Sequence, residues 1–105
     1  RDLIRGNRGD DAIEGGEGRD IIYAGRGSDT IDGGDQGDKI FGGPGADDII
    51  GGGGRDLIKA GRGADSIAAA DGQRDWIFCG RGDDTVTADR KDRVHGSCED
   101  VKRVD

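Results

Sequence analysis

Nine aspartates recur at a near-constant interval: Asp11, Asp20, Asp29, Asp38, Asp47, Asp56, Asp65, Asp75 and Asp84 are nine residues apart except for one step of ten, from Asp65 to Asp75. A carboxylate can move protons, attack carbon or hold a hard cation. Regular single carboxylates with no nucleophile beside them suit the last task best. His95 is the only histidine and reads as a surface strand residue, while Ser28, Ser66 and Ser97 fall at ordinary repeat positions or in the tail. No catalytic constellation is present, and we expect a protein that is not an enzyme. The EF-hand spacing D-x-D-x-D-G is also missing.

The aspartates belong to a nine-residue phrase. From Gly15 to Ile67 the chain reads GGEGRDIIY, AGRGSDTID, GGDQGDKIF, GGPGADDII, GGGGRDLIK and AGRGADSI, with Asp sixth and Ile eighth in every copy. Gly6 to Glu14 form an earlier copy with Asn7 in second place, and Asn tolerates positive φ better than most residues. Arg1 to Arg5 supply half a copy, with Asp2 sixth. One extra residue interrupts the pattern in AADGQRDWIF, and Cys79 to Thr87 form the last good copy. Residues 88–95 keep only Asp92-x-Val94, and GSCEDVKRVD ends the chain with little repeat character, as terminal caps do.

Each copy predicts a glycine-rich turn followed by a three-residue strand, whose eighth residue points inward while the seventh and ninth point out. One turn and one strand reverse the chain, so two copies make a coil of eighteen residues. The fold class is therefore all-β, a solenoid of two parallel sheets over a thin isoleucine core. At ~4.8 Å per strand, roughly six coils reach about 28 Å. Coiling sorts the aspartates into two columns, Asp11, Asp29, Asp47, Asp65 and Asp84 on one edge, and Asp20, Asp38, Asp56 and Asp75 on the other. Carboxylates stacked every ~5 Å repel unless cations lie between them. Calcium suits that role because it accepts six or more oxygens, carbonyls included, in flexible geometry, whereas magnesium demands stricter geometry. The alternatives are a flexible Gly-Asp linker, which would not keep an isoleucine every nine residues, and a metal-free solenoid whose aspartates only cap turns, a task Asn or Ser could also perform.

The phrase resembles the nonapeptide G-G-x-G-x-D-x-(aliphatic)-x of the RTX, or hemolysin-type, calcium-binding repeat proteins, over about nine-tenths of the chain. The resemblance implies a right-handed parallel β-roll in which each ion lies between loops adjacent on one edge, taking one Asp carboxylate from each. Carbonyls from the first four loop positions complete the shell. Here those candidates are Gly6, Gly9, Gly15, Gly16, Gly18, Gly25, Gly27, Gly33, Gly34, Gly42, Gly43, Gly45, Gly51, Gly52, Gly54, Gly61, Gly63, Gly80 and Gly82. Four gaps on one edge and three on the other imply roughly seven Ca²⁺ ions. Sites beside Asn7, Gln36 and Ala69–Ala70 are the irregular ones, and Asp2 and Asp92 are candidates for weaker terminal sites.

Composition bounds the rest. With 30% apolar residues, 37% charged residues, 23 glycines in 105 and a net charge of −7, the chain on its own would be expected to stay disordered. One aliphatic in nine cannot offset the entropy of ordering a glycine-rich backbone, so the expectation is folding on calcium. Seven divalent ions would change the balance to −7 + 14 = +7, which makes an anionic cell surface or polysaccharide a conceivable partner. Nucleic acid is not expected. No apolar run reaches membrane-spanning length and no signal peptide is seen, and the opening in mid-phrase without methionine is compatible with a piece cut from a longer protein. Secretion to the calcium-rich exterior is the expected location. The domain reading is a repeat unit over 1–95 and a cap over 96–105 tied to the last coil.

Outward positions distinguish the two sheets. One carries Leu3, Ile21, Leu57 and Trp76 with Tyr23, Phe41 and Phe78, interrupted by Arg5, Lys39 and Lys59. That face is either a contact surface, centred on Ile21, Tyr23, Phe41, Leu57, Trp76 and Phe78, or cross-strand packing that only stabilises the sheet. The rival functions are thus an adhesion module using this face, and the non-catalytic tail of a secreted enzyme or toxin. Arg8, Arg26, Arg62 and Arg81 form a broken column at the third position, read as partial neutralisation of nearby acids. Arg8-Gly9-Asp10 and Arg81-Gly82-Asp83 spell an adhesion tripeptide, yet both arise from the repeat itself. Cys79 and Cys98 lie nineteen apart, one coil plus one residue, which returns the chain to the same edge one layer away. That spacing is within reach of a disulfide, which we expect in an oxidising exterior.

Overall fold

The computed structural model describes residues 3–6, 8–69, 74–82, 84–89, 92–95, 98 and 100–104. The expectations for Asp2, Asn7, Ala70, Asp83 and Ser97 lie outside these residues. Nine three-residue strands follow one another at the repeat interval: β1 Leu3–Arg5, β2 Ala12–Glu14, β3 Ile21–Tyr23, β4 Thr30–Asp32, β5 Lys39–Phe41, β6 Asp48–Ile50, β7 Leu57–Lys59, β8 Ser66–Ala68 and β9 Trp76–Phe78. Then come β10 Thr85–Asp89, β11 Arg93–Val94 and β12 Asp100–Val104. Isoleucine favours a strand because its branched Cβ packs on a pleated surface, and the glycine-rich stretch after each strand ends it.

Odd and even strands separate into two six-stranded parallel sheets, in the orders β1-β3-β5-β7-β9-β11 and β12-β10-β8-β6-β4-β2. Each strand therefore pairs with the one two copies away, as the eighteen-residue coil predicts. Registers are unshifted: Ile22 faces Ile40 and Ile40 faces Ile58 in one sheet, Ile31 faces Ile49 and Ile49 faces Ile67 in the other. A slip of one residue would turn the isoleucines outward, which is why the pattern fixes the register. The eighth-position residues Ile22, Ile31, Ile40, Ile49, Ile58, Ile67, Ile77 and Val86 are buried and form one core between the sheets, with Ala24, Ala60 and Ala88 filling its margins. The molecule is a slab of 34 × 30 × 15 Å, and its short dimension leaves room for little more than two sheets.

The tail is more ordered than its sequence suggests. β12 pairs with β10 over five residues, from Thr85↔Asp100 to Asp89↔Val104, and so extends one sheet by a full strand. Val101 takes the inward place beside Val86, with an aliphatic at the required parity although the glycines and the Asp are gone. Cys79 and Cys98 form the expected disulfide, with Cα atoms 5.0 Å apart, and it ties this tail to the ninth strand's coil.

Candidate metal centre

The turns between strands are built by glycine at two places. Second-position Gly16, Gly25, Gly34, Gly43, Gly52, Gly61 and Gly80 and fourth-position Gly9, Gly18, Gly27, Gly45, Gly54, Gly63 and Gly82 all have positive φ, from 79° to 121°. Space adds a second requirement, because a Cβ on Gly43 would sit 2.7 Å from the carbonyl oxygen of Gly25 one coil away, and one on Gly61 would sit 2.8 Å from that of Gly43. The second-position carbonyls thus point along the stack from loop to loop. Fourth-position amides bond along it too, with Gly45 donating to the Arg62 carbonyl at 3.0 Å and Gly27 to that of Pro44 at 3.2 Å. Proline fits the third place because only its carbonyl is used there.

Each loop delivers its aspartate to the same spot. Asp20, Asp29, Asp38, Asp47, Asp56, Asp65, Asp75 and Asp84 are all buried to 2% exposure or less, and the two predicted columns are present. The columns are held by backbone bonds: the Asp29 amide donates to Asp47 Oδ1 at 2.9 Å, the Asp47 amide to Asp65 Oδ1 at 2.8 Å, and on the other edge the Asp20 amide donates to Asp38 Oδ1 at 2.8 Å and Asp38 to Asp56 Oδ1 at 2.8 Å. Asp11 is only half-buried at the end of its column but bonds in the same way to Asp29. One oxygen of each carboxylate from Asp29 onward therefore does accept an amide from the preceding coil. The other does not: Oδ2 of Asp29, Asp38 and Asp47 is buried without a hydrogen-bond partner, as is that of Asp11 at the column's end.

Four of the stacked carboxyls are disfavoured as anions where they lie. Burial pushes the Asp38 carboxyl up to about 6, Asp47 up to about 7 and Asp65 up to about 8, and raises Asp29 as well. Backbone bonds partly oppose the shift, while neighbouring aspartates add to it: Asp20 acts on Asp38, Asp29 on Asp47, and Asp47 and Asp84 on Asp65. No arginine is among the causes for these four. The column Arg8, Arg26, Arg62 and Arg81 is exposed, and none of its members contributes to the shifts of Asp29, Asp38, Asp47 and Asp65.

Oxygen ligands are close at hand. The point 2.8 Å from Asp47 Oδ2 where a Cβ on Gly42 would lie is also 2.6 Å from the Ala60 carbonyl oxygen of the next coil, and the Gly33 point is 2.8 Å from Asp38 Oδ2 and 2.7 Å from the Gly51 carbonyl. Among the described residues no three His, Cys, Asp or Glu side chains come together around a metal position. An ion bridging two coils would therefore take at most two carboxylates and complete its shell from backbone, which suits calcium's tolerance of carbonyl ligands. The donor set fits the ion. Asp92, noted in the sequence only as a weak terminal site, joins the second column: it is buried, and its Oδ1 accepts the Asp75 amide at 2.9 Å.

The aromatic face is largely occupied by its own members. Tyr23 and Phe41 stack at 4.8 Å with planes 8° apart, Arg5 lies over Tyr23, and Lys59 lies between Phe41 and Phe78, 5.9 Å from each ring. Phe78 continues to His95 at 5.1 Å, and Arg93 covers Trp76 at 5.6 Å. Ring faces thus point along the stack and contact neighbours, which favours the cross-strand packing reading, although Tyr23 and Trp76 remain 42% and 47% exposed. The aromatics of the ninth place, Tyr23, Phe41 and Phe78, are legible in the sequence, whereas the cations over their faces become their partners only once the coils stack.

A family model described as the RTX calcium-binding nonapeptide repeat matches the chain in four copies, over residues 1–31, 32–67, 41–74 and 67–90. No curated protein and no solved structure gives a match.

Proposed function

The chain belongs to the RTX calcium-binding nonapeptide-repeat family, and from that premise we propose that it is a non-enzymatic module of a secreted protein that folds by binding several Ca²⁺ ions between stacked loops. The observation that carries the reading is the set of buried Oδ2 atoms without hydrogen-bond partners in Asp29, Asp38 and Asp47, stacked with no cationic side chain among the causes that raise their carboxyls. Asn or Ser would serve the Oδ1 bond equally well; only a cation needs the second oxygen and the charge. Calcium would supply positive charge and an oxygen coordination shell. The residues that would hold it are the nine aspartates from Asp11 to Asp84, with carbonyls of the loop glycines. Seven inter-loop gaps give a count of about seven ions.

The backbone does the remaining work. Because the carboxylates from Asp29 onward each accept the amide of the coil before, ordering one loop places the acceptor for its neighbour, so ion binding and coil stacking reinforce each other. Residues 1–95 would form this calcium-dependent stack. The segment 96–105 would close its end, held by the disulfide and by β12. The disulfide supports the secreted location, since both it and millimolar calcium belong to the exterior.

Circular dichroism during a calcium titration tests it. The metal-free chain at neutral pH should lack most of its β signal, and calcium should restore it in a steep, cooperative transition. A full β spectrum in excess EDTA, unchanged by calcium, would refute the proposal.

A further inference from the structure

One coil departs from the repeat in two adjacent places, and a groove lies over it. In GGDQGDKIF the glycine of the fourth position has moved to the fifth, leaving Gln36-Gly37. Gln36 nevertheless keeps the left-handed backbone of its glycine equivalents, with φ 77°, as the only non-glycine residue with positive φ among those described. Such outliers are retained at a cost, and they gather where a side chain has a task. The move also interrupts a column. Fifth-position residues on this edge are Arg19, Gly37, Arg55 and Arg74, so one guanidinium is missing between two others.

The gap opens a groove of about 570 Å³ lined by Arg19, Gln36, Gly37, Lys39 and Arg55, with Asp20 in its wall. Asp20 is 1% exposed, whereas the three cations and Gln36 are exposed. Arg19 and Arg55 come from coils two strand spacings apart, about 9.6 Å, and Lys39 rises between them from β5. The surroundings amplify the charge. Outward residues of the adjoining sheet include Arg5, Lys39, Lys59 and Arg93 and no acid, while the opposite sheet presents Glu14, Asp32 and Asp48. Three cations of a chain of net charge −7, Arg19, Lys39 and Arg55, thus meet at one recess.

We propose that this groove binds the carboxylate or sulfate group of an acidic saccharide, with Arg19 and Arg55 engaging the oxyanion from either side and Lys39 and the Gln36 amide completing the contacts. Two guanidiniums flanking a gap match the planar or tetrahedral oxygens of such a group, and their donors form strong charge-assisted bonds. The volume exceeds that of one anion and lies in the range of pockets for ligands of a few rings. Its lining sets charged and amide groups beside Ile21 and the aliphatic stems of the long side chains, which suits a sugar ring with hydroxyls at its edge and C–H groups on its faces. A recess is also poorly matched to a flat bilayer. The inference does not depend on the ion count, because it uses only exposed side chains of one edge.

The test is NMR titration of the ¹⁵N-labelled chain in calcium, after its β dichroism has been verified, with a chondroitin sulfate hexasaccharide. Shifts should appear at the Gln36 side-chain amide, Gly37 and the Arg19 and Arg55 Nε–H groups. Affinity should fall with added salt. The double variant Arg19→Gln, Arg55→Gln should bind roughly tenfold more weakly or worse, with unchanged dichroism and calcium midpoint. Arg26→Gln, Arg62→Gln on the opposite edge should bind as the parent does. Equal binding of a neutral chito-hexasaccharide, or no loss in the Arg19/Arg55 variant, would overturn the proposal. Two further results count against it: free sulfate reproducing every shift at the same concentration, which marks an adventitious ion only, and anionic phospholipid vesicles binding through the same arginines while the saccharide does not. Because the assay begins from a chain shown to be folded, failure here leaves the calcium reading standing.

Discussion

At the scale of the residue, each repeat aspartate has two oxygens with separate duties. Oδ1 of Asp47 accepts the Asp29 amide, while Oδ2 is buried without a partner. Asp47→Asn separates the duties, since an amide oxygen can still accept the bond but carries no charge. The variant should show more residual β structure than the parent without metal and need a several-fold higher calcium midpoint. Asp47→Ala, which also orphans the Asp29 amide, should do worse on both counts. Asp11→Ala, at the half-buried end of the column, should raise the midpoint less; equal effects would argue against stacking. Acidity offers a second route to relief. The carboxyls of Asp38, Asp47 and Asp65 titrate at about 6, 7 and 8 in the fold against 3.8 when free, so the metal-free fold binds more protons than the unfolded chain between these values. Its stability is then greatest below pH 4 and falls as pH rises toward 8. Dichroism in EDTA should gain β signal on acidification from pH 8 to 4, and the calcium requirement should rise over the same range as protons compete.

At the scale of the element, the loops are more exacting than the strands. Strand positions ask only for an inward aliphatic, so Ile49→Val should cost about 0.5–1.5 kcal/mol. Gly45 has φ 121°, and a Cβ there would collide with the backbone of Gly27. Gly45→Ala should therefore destabilise the calcium form more than Ile49→Val does, measured by denaturant at fixed calcium. Gln36 provides the converse case. Relief of its left-handed backbone in Gln36→Gly should leave the calcium form equally stable or raise it by up to about 1 kcal/mol, while weakening any ligand held over Gly37. A marked loss of stability would show that the Gln36 side chain is structural.

At the scale of the whole molecule, the stack has one end where the phrase decays, and there the disulfide and β12 take over from the loops. Closing a nineteen-residue interval should contribute about 3 kcal/mol by the loop-entropy model. Cys79→Ser, Cys98→Ser should lower the thermal midpoint of the calcium form and raise proteolysis within 96–105 first, with the central coils still folding; thiol titration of the denatured, unreduced parent should find no free thiol. The period alone determined most of this architecture. Asp at six and Ile at eight set strand length, inward parity, register and both aspartate columns, because a fixed repeat leaves each unit only one way to pack on the next. Even the Cys79–Cys98 bond follows from counting one coil. Tertiary structure decided what counting could not. β12 forms although Asp100–Val104 has no glycine phrase, because β10 offers it an open edge of backbone donors and acceptors, and strand pairing there needs only Val101 at the right parity. Asp92, which keeps only Asp92-x-Val94 of the phrase, joins the column through an amide supplied by Asp75 although the glycines before it are gone. The aromatics became a ladder when stacking set rings and cations face to face, and the arginines of the third position lie exposed while Asp29, Asp38, Asp47 and Asp65, a few residues away in sequence, are buried. Contacts of that kind join residues one coil apart in directions that only the turn geometry fixes, and a linear pattern carries the spacing of those residues but not the way their side chains face.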